Sequence, residues 1–354
     1  MRDLRSTLGL LVLLALPCSA AAQTEPSVVA TFEATGAQID FRLLVRDGHV
    51  YLVHAYGGQQ VAVGGRPMPW FRVDGYSPPH AALLSSGRVI WGAGNDTVRR
   101  RRGETRILSA NLDGTGVREL ARADGRPCGI VADGADIFFV DTDHGTLRRL
   151  RAGRVQTLAR PPTGRVFAPD CNTPMGIDAD ALYLPSRAPT GAPEWEVHRV
   201  ARQGRSRTEL ARGFPAEVVQ RNGPDVFFYG RLGGPVMRVS PTGGPATEFL
   251  PAERRGSPLV SFGAHFYYAR IGLTDDVPYS IARVSRTGGV PEVLYTGDAR
   301  RVFHLAVDAT GVYWLTSGHP PGDCHVEFSG CGQMPMRDTV CDSPDVSLLR
   351  VAVP

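Results

Sequence analysis

Asp141-Thr142-Asp143-His144-Gly145 sets two carboxylates and an imidazole almost side by side. Asp and His supply oxygen and nitrogen donors to a divalent cation, and residues two apart on a strand face the same way. If a strand runs on past Asp141, then Asp141, Asp143 and His144 form a local chelate. A plain turn would favour the same residues for backbone reasons, and no complete D-x-[DN]-x-[DN]-G loop is present. A second chemical run is Arg99, Arg100, Arg101 and Arg102, whose guanidinium forks suit phosphate, sulfate or carboxylate polymers. No aromatic residue is interleaved with them, which argues against nucleic acid, and a solvated loop would look the same.

These groups sit inside a repeated phrase: a short apolar run, a polar or Gly-containing turn, then a second run rich in aromatics. It is clearest at LAVDATGVY (305–313) and recurs as LLVRDGHVY (43–51), ALLSSGRVI (82–90), IVADGADIFF (130–139), MGIDADALY (175–183), VVQRNGPDVFF (218–228) and LVSFGAHFYY (259–268). Measured at Tyr51, Ile90, Phe138, Tyr183, Phe227, Tyr267 and Tyr313, the spacing is 39 to 48 residues, a period that belongs to four-stranded propeller blades. Each repeat continues with a third strand carrying Arg-Val, a Gly turn and a fourth strand, as in RVSPTGGPATEFL (238–250) and RVSRTGGVPEVL (283–294). Helical periodicity is nearly absent, while β-branched and aromatic runs alternate with Gly/Pro clusters. The chain ends SLLRVAVP (347–354), one strand short of a full repeat, and the orphan run SVVATFEA (27–34) can supply it. The expectation is therefore an all-β, seven-bladed β-propeller of four-stranded blades, the last closed by the N-terminal strand so that no edge is left open. Six blades is the alternative, if the first repeat packs differently.

VDATGVYW (307–314) and its weaker copies resemble the repeats of secreted bacterial propellers of the TolB, NHL and YWTD kind. Of the Tyr-Trp-Thr-Asp tetrad only Tyr313-Trp314 is kept, with Leu315 before Thr316. The resemblance covers nearly the whole of residues 23–354 and implies the fold, with no particular activity. It also implies a ligand face where the first strand of each blade begins. Asp40, His80, Cys128, Asp170, Asn172, Glu217, Ser257 and His304 stand at those positions. Among them Asp40, His80, Asp170, Asn172, Glu217 and His304 could bind a divalent cation or perform acid–base work; capping of strand ends is the competing role.

Residues 1–22 read as a secretory signal: Arg2 and Arg5, the apolar run Leu8 to Leu16, then Ala20-Ala21-Ala22. Lipid anchoring through Cys18 is disfavoured by Pro17 immediately before it. No other apolar run is long enough for a membrane helix. Removing Cys18 leaves five cysteines. Cys128 and Cys171 precede the first strands of consecutive blades and are expected to pair in an oxidising compartment. Two of Cys324, Cys331 and Cys341 are expected to staple a long insertion, 318–345, in the last blade; their spacing with His319 and His325 fits no standard zinc pattern.

All 39 basic side chains are arginines, so no lysine Schiff base or Ser-Lys dyad operates here. A net charge of +4 over 354 residues is too dilute to argue for nucleic acid. No G-x-S-x-G elbow, H-E-x-x-H, P-loop or dinucleotide fingerprint occurs. The resulting expectation is an exported, periplasmic or secreted, monomeric binding protein without a cofactor, acting on a protein or glycan at the cell envelope. Its competitor is a metal-dependent lactonase or polysaccharide lyase using the carboxylate/His ring.

Overall fold

The computed structural model describes residues 25–33, 42–54, 57–62, 68–72, 81–93, 105–171, 173–189, 194–230, 233–253, 255, 257–271, 278–297, 302–317, 324–329, 336–341 and 345–352. The segment 1–22, Cys18, Asp40, His80, Arg99 to Arg102, Asn172 and Cys331 lie outside the described residues.

All the regular elements described are strands, arranged as a β-propeller of antiparallel sheets. Six sheets have four strands and follow the chain outward from first to fourth strand. Sheet I holds Arg42–Arg46, His49–His54, Gly57–Ala62 and Met68–Arg72; sheet II holds Ala81–Ser85, Arg88–Ala93, Thr105–Asn111 and Arg118–Ala123; sheet III holds Pro127–Asp133, Asp136–Asp141, Thr146–Arg151 and Arg154–Ala159. Sheet V holds Val218–Asn222, Asp225–Gly230, Gly233–Val239 and Thr247–Leu250, and sheet VI holds Val260–Phe262, His265–Arg270, Ser280–Ser285 and Glu292–Thr296. Sheet VII is Val302–Asp308, Gly311–Ser317, Asp345–Val351 and, from the other end of the chain, Ser27–Glu33. The N-terminal strand pairs with the C-terminal one from Ser27 opposite Arg350 to Glu33 opposite Asp345, as the missing fourth strand required.

Sheet IV corrects the expectation that every blade has four strands. It has five: Val166–Phe167 and Gly176–Ile177 both pair with Ala181–Arg187, and Trp195–Ala201 and Arg207–Arg212 follow. The gap between the first two falls at Pro169 and Pro174 around Cys171, where proline has no N–H to give a ladder. Four-stranded sheets among the described residues thus number six, the stated alternative, in place of the seven expected.

First strands lie next to one another between sheets VII and I, I and II, II and III, IV and V, and VI and VII, which sets them on the inner side of the ring. Apolar residues alternate along each strand and interdigitate between sheets. Val218, Phe227 and Tyr229 of sheet V pack with Phe266, Tyr268 and Val284 of sheet VI, and Tyr313, Leu315 and Val29 of sheet VII pack with Leu43, Val50 and Leu52 of sheet I. The last contact closes the ring. Trp314 is fully buried and donates its indole N–H to Tyr279 Oη at 3.0 Å, meeting the demand of a buried polar tip.

Two-residue turns fix the pairing registers. Asp47-Gly48, Ser86-Gly87 and Ala152-Gly153 each have both φ values positive, for example 49° and 75° at Ala152-Gly153, the mirror-image turn whose twist matches the strands it joins. The insertion 318–345 carries a separate two-stranded sheet, Cys324–Ser329 against Met336–Cys341, with Cys324 opposite Cys341.

Candidate functional site

First strands begin, and second strands end, at one rim of the ring, called the mouth here. Cys128 and Cys171 form a disulfide there, joining sheets III and IV with a Cα–Cα distance of 4.2 Å. Beside it the Asp170 amide donates to Glu217 O at 2.8 Å, tying the start of sheet IV's region to that of sheet V. Asp170 and Glu217 are thus joined by a backbone hydrogen bond beside the disulfide. The Asp170 carboxylate accepts from Thr173 Oγ1 at 2.9 Å, and Ser257 Oγ accepts from the Ala269 amide at 3.0 Å. These are loop-capping roles. His304 is half-buried near the mouth end of Val302–Asp308.

Three polar clusters occupy the mouth, each built differently. The first centres on Asp141, the last residue of its strand. The chain turns directly after it, so Asp143 does not continue that face of the strand. Asp141 Oδ2 instead accepts from Arg148 Nη2 at 3.1 Å and lies 2.8 Å from His144 Nδ1, while Oδ1 accepts from the His144 amide at 3.2 Å. The proposed chelate of Asp141, Asp143 and His144 is therefore not formed. Asp141 spends its lone pairs on His144 and Arg148, and no group of three His, Cys, Asp or Glu side chains among the described residues could hold a metal ion. Gly125 crosses directly over this carboxylate, with space for no β-carbon: one built there would lie 1.9 Å from Asp141 Oδ1. Between sheets II and III the cluster opens into a cleft of about 240 Å³ lined by Arg122, Asp124, Asp141 and Arg148 over Phe139 and Val155.

The second cluster is closed. Ser186, Glu196 and His198 are buried on adjacent strands of sheet IV. His198 Nε2 lies 2.9 Å from Ser186 Oγ and 3.1 Å from Glu196 Oε2. Arg165 Nε reaches Glu196 Oε2 at 3.0 Å and Ser186 Oγ at 3.2 Å, and Arg212 Nη2 reaches Glu196 Oε1 at 3.2 Å. The residue types match a serine hydrolase triad, but the arrangement does not. In a triad the hydroxyl and the carboxylate bond opposite ring nitrogens. Here both approach Nε2, and the buried Nδ1 has no partner. Burial lowers the His198 pKa, against the opposing pull of Glu196, so the ring is held neutral.

The third cluster lies between sheets V and VI. Tyr229 Oη accepts from the Leu259 amide at 2.8 Å, and burial pushes its pKa up. Arg255 stacks over the Tyr229 ring at 5.2 Å and donates through Nη2 to Gly234 O at 2.8 Å. Its Nε and Nη1 are buried without a hydrogen-bond partner, facing the aromatic wall, and burial lowers its pKa.

Sequence reasoning, which inspected residues ahead of first strands, missed Arg165, Ser186, Glu196, His198 and Arg255. One signal was available: Glu196 and His198 stand two apart in the otherwise apolar strand WEVHRVA, so both face one side of a buried sheet.

No known family model matches the chain, and no curated protein matches it. Among solved structures it is similar to a chain of a nidogen/laminin complex, at 14% identity and a TM-score of 0.52 over 73% of this chain and 97% of that one. The computationally designed Ika8 protein is similar at 11% identity and 0.51 over 92% and 99%. The dipeptidyl peptidase 4 of Porphyromonas gingivalis is similar at 11% identity and 0.52 over 81% of this chain and 50% of the peptidase, so the chain spans half of that enzyme. At these identities the likeness carries the propeller fold, and its bearers include a partner in a protein complex and an enzyme.

Proposed function

We propose that the protein is an exported, non-catalytic propeller that recognises a protein or glycan partner at the cell envelope. The observation that carries this reading is the state of the ionisable groups at the mouth. Glu196 and Asp141 are each engaged by arginine, and Ser186 and His198 are sealed from solvent. What opens to solvent is a polar cleft between two rigid sheets, which suits recognition. The disulfide supports an oxidising compartment, and no helix among the described residues is long and apolar enough to cross a membrane. We read the five-stranded sheet IV as a blade with a broken first strand, which gives a ring of seven. Cys324 and Cys341 we read as the stapling pair of the insertion, since facing Cα atoms on antiparallel strands are within disulfide reach.

Elemental analysis of the purified mature protein tests the non-catalytic reading. A stoichiometric divalent metal that is lost on His80→Ala or His304→Ala would overturn it in favour of a metal-dependent lactonase or lyase at the mouth. A protein that shows no such metal, binds a glycan or envelope protein, and loses that binding on Asp124→Arg supports it. Non-reducing peptide mapping that links Cys331 to either neighbour would refute the Cys324–Cys341 pairing.

A further inference from the structure

The outer wall of sheets II, III and IV carries an arginine band away from the mouth. Fourth strands there begin at Arg118, Arg154 and Arg207, with Arg205 in the turn just before the last. All four side chains are exposed. The sheets are staggered so that the turn before each fourth strand rests on the fourth strand of the sheet before it. A β-carbon on Gly153 would meet Leu120 O at 4.0 Å, and one on Gly204 would meet Leu158 O at 2.1 Å. Arg207 Nη1 donates to Arg160 O at 2.8 Å across the same seam. Arg154 is thereby set beside the strand of Arg118, and Arg205 and Arg207 beside the strand of Arg154, so the charges run on from sheet to sheet.

Local carboxylates do not neutralise them. Glu119 is taken by Arg106 and Arg122, Asp136 by Arg151, Asp133 by Arg202 and Glu209 by Arg212. Arg118, Arg154 and Arg205 have no ion pair or side-chain hydrogen bond among the described residues. The pattern stops at sheet V: its fourth strand and that of sheet VI begin at Thr247 and Glu292, with Glu248 exposed next to the former. The basic band is a property of one sector and does not follow from the arginine-rich composition alone.

We propose that this band binds an acidic polysaccharide, its carboxylate or sulfate groups received by the guanidinium forks of Arg118, Arg154 and Arg205. A convex wall three sheets wide offers a linear polyanion repeated bidentate contacts. Nucleic acid lacks a complement here, because the exposed large apolar side chains among the described residues are all valines, leaving no aromatic platform for bases. The inference rests on the binding reading above but not on the mouth cleft.

The test measures binding of the purified mature protein to polygalacturonate and to heparin at fixed salt. The probe set adds single-stranded DNA and two triple variants of equal charge loss. One is Arg118→Gln/Arg154→Gln/Arg205→Gln; the other, at the mouth end, is Arg126→Gln/Arg187→Gln/Arg270→Gln. Circular dichroism and thermal melts establish that both variants are folded. The expected result is polysaccharide binding weakened about tenfold by the band variant and little by the mouth variant, with DNA bound much less well. Equal loss in both variants means bulk charge and overturns the proposal, as does equally tight DNA binding. Loss confined to the mouth variant also overturns it while leaving the protein a glycan binder. Failure to bind either polysaccharide overturns the band while leaving a protein partner open to the separate Asp124→Arg test.

Discussion

Asp178 and Asp308 stand where the first strand gives way to the turn, at the rim opposite the mouth, and do the same work. Asp178 accepts the amides of Asp180 and Ala181, the Tyr183 hydroxyl at 2.6 Å and, from the next sheet, Arg221 Nε at 3.2 Å. Asp308 accepts the amides of Thr310 and Gly311, the Thr310 hydroxyl at 2.6 Å and, across the ring closure, the Gly48 amide at 2.8 Å. An arginine also lies over the first ring of three aromatic runs: Arg202 over Phe138 and Arg221 over Tyr183, each from the next sheet, and Arg350 over Tyr313 from the same sheet. At the mouth nothing repeats in this way. Asp141, Glu196 and Arg255 head three clusters with different partners and different burial. One rim is a joint copied from sheet to sheet, where the requirement is to dock the next repeat. The other is individual, as expected where sheets differ in what they present.

If the mouth clusters are structural as well as individual, breaking the closed one has the largest effect. Glu196→Ala removes the counter-charge of Arg165, which is only 12% exposed, and should cost about 3–5 kcal/mol in urea unfolding. A loss below about 1 kcal/mol would show that the network is decoration and that the mouth is looser than its burial implies. Next in size is the mouth disulfide. Cys128→Ser with Cys171→Ser opens a constraint spanning 43 residues and should cost about 2–4 kcal/mol, read from the same transition without reductant. An unchanged midpoint would mean that the broken strand of sheet IV is held by its proline-rich segment alone.

Acid should separate the two rims. Burial lowers the His198 pKa, so in the fold the ring stays neutral where the unfolded chain takes up a proton. Stability is then full above the ordinary histidine value of about 6.5 and declines as pH falls below it. Asp178 behaves as a lowered carboxylate: burial would raise its pKa, but Tyr183, two amides and Arg221 outweigh that. Its contribution is full above the ordinary aspartate value of about 3.9 and is lost below it. Urea midpoints followed from pH 8 to 3 should fall in two steps. His198→Gln should remove the upper step and leave the lower; Asp178→Asn should shrink the lower step, to which Glu209 held by Arg212 also contributes, leave the upper one, and cost about 1–3 kcal/mol at neutral pH. A single step abolished by either substitution would refute the separation of the rims.

The copied rim was legible in the sequence because copying is what periodicity detects. VDATGVYW marked the turn, the aromatic pair and the strand count, and the unfinished last repeat pointed to Ser27–Glu33 as its partner. Cys128–Cys171 followed from the same ruler. The mouth was not legible, since each cluster occurs once. At Asp141 the sequence offered a turn and, less strongly, a chelate; it did not show that Arg148 returns from the next strand to meet the carboxylate. Glu196 finds Arg165 from the linker before its sheet and Arg212 from the fourth strand. Such meetings are set by the pairing register of adjacent strands within one sheet, which places Arg212 directly opposite Glu196 and Arg148 two residues beyond the partner of Asp141, and the local sequence does not display that register. The five-stranded form of sheet IV was foreshadowed by Pro169 and Pro174, whose missing N–H groups predict a gap in the ladder.

The smallest expected effect concerns the copied rim and its turns. Ala152 and Gly153 both adopt positive φ, and Ala152 does so at 49°, a conformation that costs an L-residue with a β-carbon roughly 1–2 kcal/mol and that Asn reaches more easily. The related turns use Asp47 and Ser86 in front of the same glycine, so this position tolerates side chains able to bond their own backbone. Ala152→Asn should therefore raise stability by about 0.5 kcal/mol, near the low end of such backbone gains, visible as a small upward shift of the urea midpoint with unchanged slope. An equal shift on Ala152→Gly would attribute the strain to the β-carbon alone. A loss on Ala152→Asn would mean that Ala152 is held by packing of its turn on the fourth strand of sheet II, making the seam between these two sheets, and not the turn, what sets its conformation.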